Sequence, residues 1–301
     1  LLFSRIFFCK LLMTSNSEGK HYEQTIYQCF SVFTNTRRLV TYTPIPGAIE
    51  CLDGVRSFAM MWVIIGHTYV NQVSDLLANP MEVINVTIWV TMGPITVDTF
   101  FMLSGLLLKK ERARLMKNLH MFYLNRLLRM FPVLAAYVLI QASILNRISD
   151  GPNWAIMATH TERCRVYWWS TLLHIQNWVN PSAMCLAHSW YLAIDVQLYI
   201  ISPLVLFWVL GNKKNVAWIA LAAGLILSLV GASVYNFIMD RDMESQEYYL
   251  AKYYVNTLTR SSPFFIGMIY GYILHLNRHE RLRLPAVREF THIVVIFIFC
   301  F

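Results

Sequence analysis

The chain has 301 residues, 56% of them hydrophobic and 14% charged, with a formal net charge of +8. A soluble globular protein averages about 45–50% apolar and about 25% charged residues, so the composition excludes that class and predicts an all-α, polytopic transmembrane helical bundle. The basic residues fall in short segments between apolar runs, where membrane topology places them, and this argues against a nucleic-acid partner.

The sequence opens on Leu1, and "LLFSRIFFCKLLM" resembles the tail of an earlier apolar segment. Arg5 and Lys10 interrupt it, and it is too short for a full span or a secretory signal with a cleavage site. Residues 1–53 read as a polar, mixed tail, mainly cytoplasmic and truncated at its start. It ends in "TPIPGAIECLDG", whose prolines and glycines break a helix. Residues 54–301 read as one transmembrane domain, incomplete at its C-terminus. About six full spans and a truncated seventh are expected from the lengths of the apolar runs. They lie near 55–73, 83–108, 131–145, 190–210, 216–238 and 262–276, with the seventh in "THIVVIFIFCF". Pro94 predicts a kink or break in the second. Residues 148–188 read as a long loop holding Trp154, Trp168, Trp169 and Trp178, a set better suited to interfacial anchoring than to a sugar platform.

Charge orients the series. Lys109, Lys110, Arg112, Arg114, Lys117, Arg126 and Arg129 face a single acid, Glu111, and the segments 211–215 and 277–290 are also basic. These are expected in the cytoplasm, and 74–82, 148–188 and 239–261 on the other side. Cys164 and Cys185 then share a non-cytoplasmic loop, where disulfides persist. Closing about 20 residues would stabilise the loop by about 3 kcal/mol in the chain-entropy model. A metal set of Cys164, His174, Cys185 and His188 lacks the paired spacing of zinc sites, so no metal is expected.

Ionisable groups in a membrane helix cost about 2.5–3.5 kcal/mol each on insertion scales and mark candidate sites. In "DGVRSFAMMWVIIGHTYV", Arg56 and His67 are eleven residues apart. That spacing puts them within about 20° of one helical stripe and about 16 Å apart along it, able to touch two parts of one long ligand. Alternatively, Arg56 snorkels to the cytoplasmic interface and His67 bonds a neighbouring helix. Asp98 can pair with Arg56 or orient His67, while Gly105 after Ser104 reads as a close-packing position. Asp195 and Gln197, in the outer half of the fourth span, fit a catalytic, packing or cation-pairing role. Arg126 and Arg129 sit one turn apart at the cytoplasmic mouth, facing one way, and suit phosphate binding or an ordinary basic anchor.

The ordered set "LDGVRSFAMMWVIIGH", "VDTFFMLSGLLL", "YLNRLLRMFP" and "HSWYLAIDVQLYIISP", with "CFSVFTNTRRLV" before it, resembles the membrane acyltransferase-3 superfamily, specifically its animal nose-resistant-to-fluoxetine-like branch. The resemblance covers residues 28 to 290. It implies a helical bundle passing an acyl group from cytoplasmic acyl-CoA to a hydroxyl acceptor, a lipid, a glycan or a small molecule. It also implies His67 as general base paired with Arg56, and Arg126 and Arg129 on the acyl-CoA donor. Many microbial members carry Glu where this chain has Asp195. No tightly bound cofactor is expected; acyl-CoA is a co-substrate and membrane lipids are partners. The second reading is a lipid or small-molecule transport protein on the same scaffold, with the intramembrane His, Arg and Asp lining a path. Either way a multi-pass integral membrane protein is expected, in the plasma membrane or an endomembrane.

Overall fold

A computed structural model describes residues 32–41, 51–76, 93–107, 119–148, 154–209, 211, 213–239 and 249–276. Among these residues the structure is helical with no strand. The helices are α1 (Val32–Val40), α2 (Cys51–Leu76), α3 (Gly93–Leu107), α4 (Leu119–Ser143), α5 (Trp154–Leu172), α6 (Gln176–Val179), α7 (Trp190–Val209), α8 (Lys214–Met239) and α9 (Ser262–Leu276). A π-helical stretch, Tyr249–Tyr254, precedes α9. The expected 1–31 and 42–50 portions of the tail, residues 83–92 of the second span, the basic stretch 109–118, the acidic stretch 240–248 and the 277–290 linker with the seventh span lie outside the described residues.

Three helical stretches among the described residues are long and apolar enough to cross a membrane: Leu119–Ser143, Ala187–Val209 and Lys214–Ile238. Their large apolar side chains stay exposed, Leu204, Phe207, Leu227 and Phe237 among them, as lipid-facing positions do. The expected first span is a 26-residue helix, α2, but it does not qualify. Asp53, Arg56, His67, Asn71, Gln72 and Asp75 dilute its apolar run. Among the described residues, helices α3 and α9 are apolar and run for 15 residues each, about 22 Å against a hydrocarbon core of about 30 Å. Pro94 lies at the edge of the described residues, and the kink or break expected there falls outside them.

Two expectations are corrected. Helix α4 begins at Leu119, twelve residues before the expected Phe131, so Arg126 and Arg129 are helical residues. The 148–188 segment folds into α5, which kinks at Tyr167, and α6; 154–172 holds no proline or glycine, and Arg165 donates to Glu162 one turn earlier.

The chain divides into two compact units. Unit 1 comprises Leu1–Ala48, Ala113–Ile200 and Glu244–Asn256; unit 2 comprises Ile49–Arg112, Ile201–Met243 and Thr257–Phe301. In unit 1, α4 packs on α5, and Leu134, Val138 and Leu186 surround Cys164 and Cys185. Arg165 Nε reaches back to the Ala142 carbonyl at 3.0 Å. In unit 2, α3 packs against α9 and α2, and α8 packs on α9. The α3–α9 contact is backbone to backbone. A Cβ on Gly105 would strike the Phe264 carbonyl, one on Gly267 the Met102 carbonyl, and one on Gly271 would lie 2.6 Å from the Leu106 carbonyl. Gly105 is thus a close-packing position, as its sequence context predicts, and Gly267 and Gly271 form the reciprocal G-x-x-x-G on α9.

Candidate functional site

In unit 2, α2 carries Arg56 and His67. Asp53 in its first turn complements the helix dipole and accepts from Arg56 Nη1 at 3.2 Å. The Arg56 side chain is 40% exposed and that of Asp53 78%, so this pair leaves the guanidinium accessible to a ligand. His67 lies eleven residues further on, about 16 Å along the axis, and is exposed.

Asp98, on α3, has its ion-pair partner in Arg260, rather than in Arg56 or His67. Arg260 Nη1 donates to Asp98 Oδ2 at 3.1 Å and Oδ1 at 3.4 Å, with the two side chains only 17% and 27% exposed. Arg260 sits in the turn before α9, which Ser261 and Pro263 start.

Unit 1 holds the remaining polar candidates. Arg126 of α4 forms an ion pair with Asp195 of α7. Its guanidinium carbon stands 4.2 Å from the centroid of the Tyr199 ring, one turn further along α7. Tyr199 stacks on Phe122 with centroids 4.2 Å apart, and the Tyr123 hydroxyl donates to the Ile200 carbonyl at 3.0 Å. Rising α4 residues therefore meet falling α7 residues, an antiparallel crossing. Arg126 lies within this packing, whereas Arg129 is exposed. The two expected to face one way at a mouth differ in burial, Arg126 being partly buried against Asp195 and Arg129 exposed.

Gln197 turns towards the end of α5 instead. Its Nε2 donates to the His174 carbonyl at 2.7 Å and to Asn177 Oδ1 at 2.8 Å, and Asn177 Nδ2 donates to the Val255 carbonyl at 3.2 Å. Cys164 and Cys185 are disulfide-bonded and buried, closing the segment that holds His174 and Asn177. Burial holds His174 below the ordinary 6.5 of a histidine, against the opposing pull of its bond to the Thr171 carbonyl and of the Asp195 charge. Burial and the neighbouring Arg163 charge lower His160 in the same way. Among the described residues no group of three or more His, Cys, Asp or Glu side chains could hold a metal ion.

Sequence reasoning missed Arg260 and the setting of His174. Arg260 is 162 residues from Asp98, and no local pattern announces such a pair. The signal for His174 was weak: a histidine and two amides, Gln176 and Asn177, within four residues of an apolar stretch.

Residues 49–301 match the family of an acyltransferase domain, acyltransferase-3. Among curated proteins, "Nose resistant to fluoxetine protein 6" of Caenorhabditis elegans is 27% identical over 286 residues, 82% of this chain and 34% of that protein. "Regulator of hypoxia-inducible factor 1" of the same organism is 24% identical over 286 residues, 83% of this chain and 55% of its own length. A Staphylococcus aureus (strain COL) protein given an O-acetyltransferase name is 27% identical over 240 residues, 76% of this chain and 35% of its own. The chain thus spans between 34% and 55% of the length of these relatives. No solved structure matches it at a significant level.

Proposed function

The chain belongs to the acyltransferase-3 family, in its animal nose-resistant-to-fluoxetine-like branch, and on that premise we propose that it is the core of an integral-membrane O-acyltransferase. The match of an acyltransferase domain to residues 49–301 is the observation that carries this reading. Residues 54–301 are the catalytic domain, multi-pass, with six full spans of which α2, α3 and α9 are the less apolar or shorter members. It takes an acyl group from acyl-CoA and gives it to a hydroxyl of a lipid, glycan or small molecule, in the plasma membrane or an endomembrane.

His67 acts as general base. Its neutral imidazole removes the proton of the acceptor hydroxyl as that oxygen attacks the thioester carbonyl; the tetrahedral adduct collapses, the C–S bond breaks, and the CoA thiolate leaves and takes up the proton. Arg56, accessible beside Asp53, holds an anionic or carbonyl group of the donor. Asp98, fixed by Arg260, supports the same chemistry by keeping a carboxylate in place within an apolar helix. Arg129 offers a charge for CoA phosphates, with Arg126 set by Asp195.

The test is donor dependence. Full-length protein in native-like lipid, given radiolabelled acetyl-CoA, is expected to release CoA and place label in lipid or glycan. Absence of turnover with any acyl-CoA, together with protein-dependent cargo uptake that needs no thioester, would replace this reading with transport.

A further inference from the structure

The stretch between α4 and α7 wears its polarity inside out. At the end of α5, Trp168 is 50% exposed and Leu173 64%, with Trp169 exposed beside them, whereas Ser170 and Thr171, on the opposite side of the helix, are fully buried. Helix α6 repeats the pattern: Trp178 is 60% exposed and Val179 also faces outward, while Gln176 and Asn177 are buried. Inside, polar groups bond one another. Ser170 Oγ donates to Asn180 Oδ1 at 2.8 Å, Asn180 Nδ2 to the Ala183 carbonyl at 2.8 Å, and Gln176 Nε2 to Ser189 Oγ at 3.0 Å. Water favours the reverse, apolar groups within and polar groups outside. Polar groups bonded internally beneath an outward aromatic face suit surroundings that offer few hydrogen bonds.

Helix α4 fixes the level of this stretch. Leu134 and Val138 of α4 pack with Cys164 and Cys185, and Leu172 packs on the same cluster. Leu134 precedes the end of α4 at Ser143 by about 14 Å along the axis. Arg165 Nε meets the Ala142 carbonyl at 3.0 Å, in the last turn of that helix. The second half of α5 therefore lies beside the final third of a helix long and apolar enough to cross a membrane, rather than beyond it. The surface of α4 at this level is apolar and exposed too, at Leu139 and Ile140.

We infer that the end of α5 and α6 are embedded in the lipid interface at the C-terminal end of α4, with Trp168, Trp169, Leu173, Trp178 and Val179 against lipid. The lipid-facing surface of α4 continues there, and tryptophans with a cation at the membrane edge, here Arg165, are the composition of an interfacial belt. Such an element sits with its apolar side chains about 5–10 Å into the headgroup and acyl boundary. The structure narrows the belt read from the sequence, because Trp154 is half-buried. It also turns an expected loop into a membrane-docked element, closed by its disulfide and joined to α7 through the buried amides. This inference rests on α4 crossing the membrane and is independent of acyl transfer.

The test is tryptophan quenching in full-length protein held in phosphatidylcholine nanodiscs, with no acyl-CoA present. Wild type is compared with Trp168→Phe and Trp178→Phe, two exposed and conservative changes that should leave the Cys164–Cys185 bond intact by non-reducing mass analysis. Subtracting the emission of each variant from that of wild type isolates the ring removed. For both rings that emission is expected to fall about twofold or more when the lipid carries bromine on the upper part of its acyl chains, and to change little with aqueous acrylamide. Quenching of either ring by acrylamide instead would place it in water and overturn the inference. Quenching by neither agent would mean that another part of the protein covers the face, and would overturn it as well.

Discussion

In unit 1 helices meet through side chains: an Arg126–Asp195 pair under an aromatic stack, a disulfide, and amides bonded in series from His174 to Val255. In unit 2 the central helices, α3 and α9, meet backbone to backbone over Gly105, Gly267 and Gly271. The difference follows the residues available at each contact, since α4 of unit 1 is itself long and apolar enough to cross a membrane. Between apolar helices in lipid there is no water to expel, so close van der Waals approach over small residues is the available attraction. In the segment between α4 and α7, the disulfide and the amides from His174 to Val255 supply covalent closure and satisfied polar groups instead. Polar groups in unit 2 stand out against that background. Asp98 and Arg260 are paired across a glycine-packed helix contact, where an uncompensated charge would be expensive.

Substitutions can break this contrast, and the largest effect is expected at the glycines. Gly267→Leu must push α3 off α9 because its Cβ would meet the Met102 backbone, which cannot rotate aside. A loss of about 3 kcal/mol, at the top of the range for overpacking, is expected in a thermal or proteolytic unfolding assay. The same change at Gly54, where a Cβ meets nothing within 4 Å, should be tolerated. Cys164→Ser, Cys185→Ser and the double variant should each cost about 3 kcal/mol and resemble one another, since each opens the same bond. A free thiol at either position in the unreduced wild type would contradict that pairing.

Next in size are Asp98→Asn and Arg260→Gln, each leaving its partner uncompensated. About 2 kcal/mol is expected, less than the about 3–5 kcal/mol of a fully buried pair, because both groups retain some solvent contact. The double variant should cost less than the sum of the singles; simple additivity would show that the two do not interact.

A smaller effect sharpens the comparison through pH. Because burial lowers His174 and His160 in the folded state, the unfolded chain takes up protons first as pH falls below about 6.5. Their contribution to stability is thus full above that value and is lost as pH drops toward the folded values. The unfolding midpoint should fall between pH 7.5 and 5.5, and His174→Asn should flatten the slope; an unchanged slope would mean that the ring is not shielded.

Much of the architecture was legible where one physical signal dominates. The uninterrupted apolar runs of α7 and α8 gave boundaries within two residues of the helices observed, and Gly105 and the Cys164–Cys185 pair were readable from their settings. Reading failed where two signals compete. The cations of 119–130 were expected at a cytoplasmic mouth ahead of a span starting near 131, yet this stretch belongs to the span's helix and its Arg126 finds a carboxylate 69 residues away. The mixed composition of 154–172 hid a helix that has neither proline nor glycine. The Asp98–Arg260 pair and the left-handed His174 arise only once distant segments meet.

The most direct test of the account compares full-length wild type with His67→Ala in native-like lipid, measuring CoA release from radiolabelled acetyl-CoA while an unfolding midpoint confirms that the variant is folded. A general base predicts a fall in turnover of about 100-fold or more with stability intact. Turnover unchanged in the folded variant would contradict the assignment of His67 and move the search for the base elsewhere in the chain.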